Sequence, residues 1–196
     1  MTGETGARPL RVVGVSGSLQ ELSRTTVLVE AILERLGERI EVEATVVEVA
    51  ALAPGLAGAV RRDQVAPDVR RALEQIESAD VLVAASPVYR ASFTGLFKHL
   101  FDFVGQYSLV ATPVILAATG GGERHALILE HQLRPLFGFF QALTLPVAVY
   151  ASDADFVDRE LVAPDVRSRI AQAVDRALPL IEKATAVRAS EYVSTW

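Results

Sequence analysis

The sequence predicts a doubly wound α/β fold, a five-stranded parallel sheet with helices on both faces. Three observations predict it. Short β-branched runs alternate with helical patterns along the whole chain. The last three of these runs are almost free of polar residues, as strands covered on both faces should be. At 196 residues and 51% hydrophobic content, the chain can bury one sizeable core with little left for a second.

The elements follow in order. Residues 1–9 are polar and Gly-rich, with no apolar segment of signal-peptide type, and are expected to be a frayed tail of a cytoplasmic protein. Strands are expected at 11–16, 42–49, 79–85, 113–118 and 146–150. Between them, Leu28, Ala31, Ile32 and Leu36 share one helical face, as do Val69, Ala72, Leu73 and Ile76. A helix is expected at 96–104, and an apparent single helix at 124–143. Val166, Ile170, Ala173, Val174, Ala177 and Ile181 mark the last one. Residues 52–67, with Pro54, Gly55 and Gly58, read as an excursion between the second strand and its helix. Parallel neighbours need right-handed crossovers, which these helices supply. No repeat or linker divides residues 10–185, and residues 186–196 read as a C-terminal tail without an anchor motif.

Composition narrows the chemistry. With 19 basic against 24 acidic residues and a formal net charge of -5, the chain lacks the dense cationic surface that nucleic acid demands. Small-molecule partners are expected instead. Cysteine is absent, which excludes disulfides, thiolate catalysis and thiolate-bound metal, so any redox chemistry must come from a cofactor. The longest apolar stretch, 109–118, is interrupted by Thr112 and Pro113 and falls short of the roughly 20 residues that cross a bilayer as helix. His99, His125 and His131 have no metal-ligand spacing, and Asp153, Asp155 and Asp158 lack the glycine and glutamate of a calcium loop, so no metal is expected and that loop reads as solvated.

In doubly wound sheets ligands bind beyond the carboxyl ends of the strands, where the winding reverses. The first strand runs into Gly14-Val15-Ser16-Gly17-Ser18-Leu19-Gln20-Glu21-Leu22-Ser23-Arg24-Thr25. Hydroxyls on Ser18, Ser23 and Thr25, the Arg24 cation and a helix start with unpaired N–H groups make a phosphate cradle. Ser23 also suits a plain helix cap. A dinucleotide fingerprint fails here for lack of glycines, and a hydrolase elbow fails because Ser18 stands where its second glycine belongs. The third strand ends in Ser86-Pro87-Val88-Tyr89-Arg90, where Pro87 is expected to leave the next N–H groups free for a ligand and Tyr89 to lie on a flat ring. The fourth ends in Thr119-Gly120-Gly121-Gly122, where glycine lets backbone approach a planar ligand.

These motifs, with Gly95-Leu96-Phe97-Lys98, resemble the NADPH-dependent FMN reductase family over residues from about Arg11 to about Leu180. The flavodoxin-like fold is what that resemblance implies. His131-Gln132-Leu133-Arg134-Pro135-Leu136 and Tyr150-Ala151-Ser152-Asp153 resemble most the flavin reductases of two-component alkanesulfonate and methanesulfonate monooxygenase systems. Carried over, the resemblance puts the FMN phosphate on Ser18, Ser23, Arg24 and Thr25. It puts the ring against Pro87, Val88, Tyr89 and Arg90 on one side and Thr119, Gly120 and Gly121 on another. Many relatives have arginine at the position of Gln20, so one cation is missing and Arg24 is expected to compensate. Hydride passes from NADH or NADPH to flavin N5, which needs two stacked rings and no acid–base pair, so no catalytic side chain is assigned. Backbone N–H groups near Gly120 and Gly121 are expected to stabilise charge on the ring.

The resemblance implies reduced flavin passed to a partner monooxygenase, and a homodimer or homotetramer. A quinone, azo-dye or chromate reductase with retained FMN is the alternative, and a flavodoxin-type electron carrier a third. Two further features bear on assembly. Pro135 leaves the carbonyl of His131 without its helical partner, predicting a kink or π-bulge there, which the sulfonate-type relatives place near a subunit interface. Phe97, Phe101, Phe103, Phe137, Phe139 and Phe140 spread around more of their helices than one core stripe needs, an excess that self-association would bury.

Overall fold

The computed structural model describes residues 8–188. The expectations for residues 1–7 and 189–196 lie outside the described residues. Strands β1 (Leu10–Ser16), β2 (Val42–Glu48), β3 (Val81–Pro87), β4 (Pro113–Gly120), β5 (Leu143–Thr144) and β6 (Val149–Ser152) form one parallel sheet. Its order is β2-β1-β3-β4-β5, and β6 pairs with β4 beyond β5. The winding therefore reverses between β1 and β3.

The fifth position is split, where one strand at 146–150 was expected. Leu145 N–H still donates to the Val114 carbonyl (2.9 Å), but Pro146 has no N–H to offer, and pairing resumes only at Val149 opposite Ala117.

Successive strand residues point to opposite faces, so each buried strand feeds two cores. On one face, Val12, Val83 and Ile115 pack with Leu28, Ile32 and Leu36 of α1 (Arg24–Gly37) and with Ile170, Val174 and Ile181 of α6 (Pro164–Arg188). On the other, Val13, Leu82 and Val114 meet Leu73 and Ile76 of α3 (Pro67–Ser78) and Phe97 and Phe101 of α4 (Gly95–Phe101). The excursion at 52–67 is not loop throughout. Val49, Leu52 and Leu56 share a buried face of helix α2 (Val49–Leu56), and this burial overrides the poor helix propensity of Pro54 and Gly55.

Five of the six phenylalanines expected to need a partner surface are core residues. Phe97, Phe101 and Phe137 are fully buried, Phe103 and Phe140 nearly so, and only Phe139 is exposed. Phe101 explains the miscount, because its ring meets Phe97, Phe137 and Phe140 at centroid distances of 4.7, 5.1 and 6.2 Å, joining both helices in one aromatic cluster.

The expected helix at 124–143 is three pieces. A 3-10 turn spans Glu123–His125, a π-helix spans Leu129–Leu133, and α5 spans Arg134–Phe139. The π-helix holds His131 just before Pro135, where the missing N–H predicted a bulge, and Arg134 N–H donates to the Leu129 carbonyl five residues back.

Ordered contacts begin inside the expected N-terminal tail. The Arg8 guanidinium donates to both Asp80 oxygens (2.7 and 2.9 Å), and Arg11 N–H donates to the same carboxylate (2.8 Å). Burial alone would push the Asp80 carboxyl up, but Arg8 and the Arg11 N–H more than reverse this and hold it below its usual value. At the other end α6 runs to Arg188, so the first residues assigned to the C-terminal tail are helical.

Candidate functional site

A cleft of about 410 Å³ opens at the carboxyl end of β1, β3 and β4. Ten of the twelve expected site residues line it: Ser18, Gln20, Ser23, Arg24, Thr25, Pro87, Val88, Thr119, Gly120 and Gly121. Tyr89 and Arg90 do not. They belong to a tight turn in which Tyr89 N–H donates to the Ser92 carbonyl and Ser92 N–H returns the bond (2.8 and 3.1 Å). Arg90 and Ala91 take positive φ there, and the Arg90 guanidinium stands 5.9 Å from the exposed Tyr89 ring. The backbone after Pro87 is not free, because Val88 N–H donates to the Thr119 carbonyl at 2.7 Å.

The first loop is held by its own side chains. Ser23 caps α1, accepting from Thr26 N–H (3.1 Å), so the capping role and the cleft-lining role coincide. Ser18 is buried and accepts from Gln20 N–H (3.0 Å). Thr26 Oγ1 donates to Glu48 at the end of β2 (2.7 Å), which also accepts from Leu22 N–H (3.2 Å). Thr25 and Thr119 join their hydroxyls at 2.7 Å, tying the first loop to the fourth strand. Arg24 and Thr25, in the first turn, have no intrahelical carbonyl to meet, so their N–H groups are donors available at the cleft.

The glycine end is built differently. A β-carbon on Gly120 would stand 2.7 Å from the Tyr150 hydroxyl and 3.0 Å from His125 Nδ1, so protein packing requires this glycine. Tyr150 donates that hydroxyl to the Gly122 carbonyl (2.6 Å) and fixes the loop. Burial of the phenol, joined by the charges of Asp153, Asp155 and Glu123, pushes Tyr150 above its usual pKa. Gly121 and Gly122 are free of any such demand. A β-carbon on either meets nothing within 4 Å, and neither has positive φ.

Sequence reading missed Glu21, Leu22, Asp153 and Arg159, which also line the cleft. The loop expected to be solvated is largely exposed, and its Asp153 also forms part of the cleft wall. Asp153 pairs with Arg24 (2.8 Å), and Asp155 accepts from both the N–H and the hydroxyl of Ser152 (2.6 and 2.8 Å). Positive φ at Leu22, Asp158 and Arg159 is the common signature of the missed segments. Sequence spacing does not reveal it, since such strain is expected at Gly or Asn rather than Leu or Arg. Among the described residues no group of three or more His, Asp or Glu side chains is placed to hold a metal ion, and no helix is long and apolar enough to cross a membrane.

The chain is similar to FMN reductases over nearly its whole length. It is 50% identical over 172 residues to the FMN reductase (NADPH) of Pseudomonas aeruginosa, covering 88% of this chain and 92% of that one. It is likewise 50% identical over 182 residues to the NADH-dependent FMN reductase SfnE of Pseudomonas putida, covering 93% and 98%. An oxidoreductase from Corynebacterium diphtheriae superposes with a TM-score of 0.80 at 30% identity, covering 90% and 99%. Residues 10–156 match the family described as NADPH-dependent FMN reductase, and to that family the chain belongs.

Proposed function

We propose that this NAD(P)H-dependent FMN reductase holds its flavin in the cleft, phosphate toward Ser18, Ser23, Arg24 and Thr25, ring toward Pro87, Val88, Thr119, Gly120 and Gly121, and hands reduced FMN to a partner monooxygenase. One observation carries the placement: three strand ends meet in a single cleft whose one end offers hydroxyls, helix-start N–H groups and cations, and whose other end offers bare backbone. Its volume falls within the range of small-molecule sites. Gly121 supplies the fit. Neither packing nor φ asks for glycine there, so the space a β-carbon would take is available to a planar group.

Bound flavin supplies the hydride acceptor for NAD(P)H. The chain's own part is positioning. The Arg24 and Thr25 N–H groups and the positive end of the α1 dipole receive the phosphate. The Thr25–Thr119 bond keeps the two walls at fixed separation. No acid–base side chain is needed, and backbone at Gly120 and Gly121 faces the ring as a preorganised dipole. Tyr89, outside the cleft, leaves the ring without a tyrosine or tryptophan stacked on it, which suits a flavin that departs. Self-association in this reading covers exposed Leu127 and Phe139 beside the π-helix.

Mixing the protein with NADH or NADPH under argon tests the release. Nicotinamide oxidation should rise with added free FMN through many turnovers. Turnover that ignores free FMN while a tightly held flavin reduces quinone would overturn it.

A further inference from the structure

The phosphate loop, residues 17–25, carries one cation, Arg24, and it is already engaged, lying 2.8 Å from Asp153. The charged side chains on the cleft wall are Glu21, Asp153, Arg24 and Arg159. They sum to zero, and without Arg159 they would face a phosphate with net negative charge. Arg159 makes no hydrogen bond or ion pair among the described residues.

Its backbone is equally telling. β7 (Phe156–Val157) and β8 (Glu160–Leu161) form an antiparallel hairpin whose two-residue turn, Asp158-Arg159, has φ of 48° and 70°. Such turns favour Asp-Gly or Asn-Gly, because glycine carries positive φ without steric cost. Here arginine occupies the glycine position. The hairpin is firmly seated: Phe156 and Leu161 are buried in the core that contains α1, Val162 N–H donates to the Asp155 carbonyl (2.9 Å), and Arg167 donates to the Leu161 carbonyl (2.6 Å). The hairpin packs on α1 and follows within a few residues of Asp153, which pairs with Arg24, and Arg159 lines the same cleft as the phosphate loop.

We propose that Arg159, presented on this strained turn, is the second cationic contact for the FMN phosphate, beside Arg24. The inference rests on the flavin placement above. A guanidinium with no partner among the described residues would meet the phosphate as a charge-assisted contact. A residue that strains its turn to stay in the cleft is better explained by a ligand than by the fold.

Titrating the wild-type protein and the Arg159→Gly and Arg159→Lys variants with FMN and with riboflavin tests this. Glycine suits the turn, so Arg159→Gly should melt no lower than wild type while weakening FMN by about tenfold or more, the scale of a lost charged hydrogen bond. Riboflavin, lacking the phosphate, should bind both proteins equally, and Arg159→Lys should keep part of the FMN affinity. Unchanged FMN binding in Arg159→Gly, or equal losses for FMN and riboflavin, would overturn the role of Arg159. So would a loss confined to the KM for NADPH relative to NADH. If the wild-type protein itself binds riboflavin as tightly as FMN, the phosphate placement fails first and Arg159 with it.

Discussion

The two ends of the cleft are made of different materials. At the β1–α1 end, side chains do the building: a capping serine, paired threonines, and a glutamate reaching in from β2. At the β4 end, backbone does it, with one tyrosine holding a run of glycines in place. The first end is therefore coupled to the fold, and a change there disturbs stability and binding together. The second contains positions where binding can be altered alone.

The largest expected effect lies at the coupled end. A β-carbon on Gly17 would fall 2.5 Å from the fully buried Phe97 ring, and the Gly17 carbonyl accepts from Thr94 Oγ1 at 2.6 Å. Gly17→Ala should cost ~1–3 kcal/mol as overpacking, read by chemical denaturation. At the uncoupled end, Gly121→Val should leave the melting temperature unchanged while weakening FMN on the order of tenfold, about 1.4 kcal/mol. Unaltered FMN affinity there would mean the ring lies elsewhere. Ser23→Ala tests the double role of the cap: it should lose about 1 kcal/mol of stability, and FMN affinity should fall with it.

Tyr150→Phe is the mildest, removing one hydrogen bond to Gly122 worth about 1 kcal/mol. It also has a pH signature. Because the folded-state pKa of Tyr150 is raised, its contribution is intact below the ordinary tyrosine value of about 10 and is lost as pH rises above it. Alkaline melting curves of wild type and variant should converge.

Much of this was legible beforehand. Apolar runs marked the central strands because both faces are covered, and Pro135 marked the π-helix because a missing N–H has a fixed local consequence. The hydroxyl loop was legible for the same reason, being continuous in sequence. Long-range packing was not. Nothing local tells that Phe101 will gather Phe97, Phe137 and Phe140 into the core, or that Val49, Leu52 and Leu56 will bury a helix through Pro54. Asp153 was missed because its partner is a helix start more than a hundred residues away, and Arg159 because its turn geometry is chosen against type.

The interruption at Pro146 bears on how the molecule avoids its own copies. An open sheet margin is a template on which a neighbouring chain can extend the ladder. Here the margin beyond β4 consists of a two-residue and a four-residue strand separated by residues 145–148, among them Pro146 with no donor, too broken to recruit a foreign strand. Sheet-to-sheet polymerisation is thereby closed at that border, and the other margin, β2, is the one that keeps a continuous ladder edge.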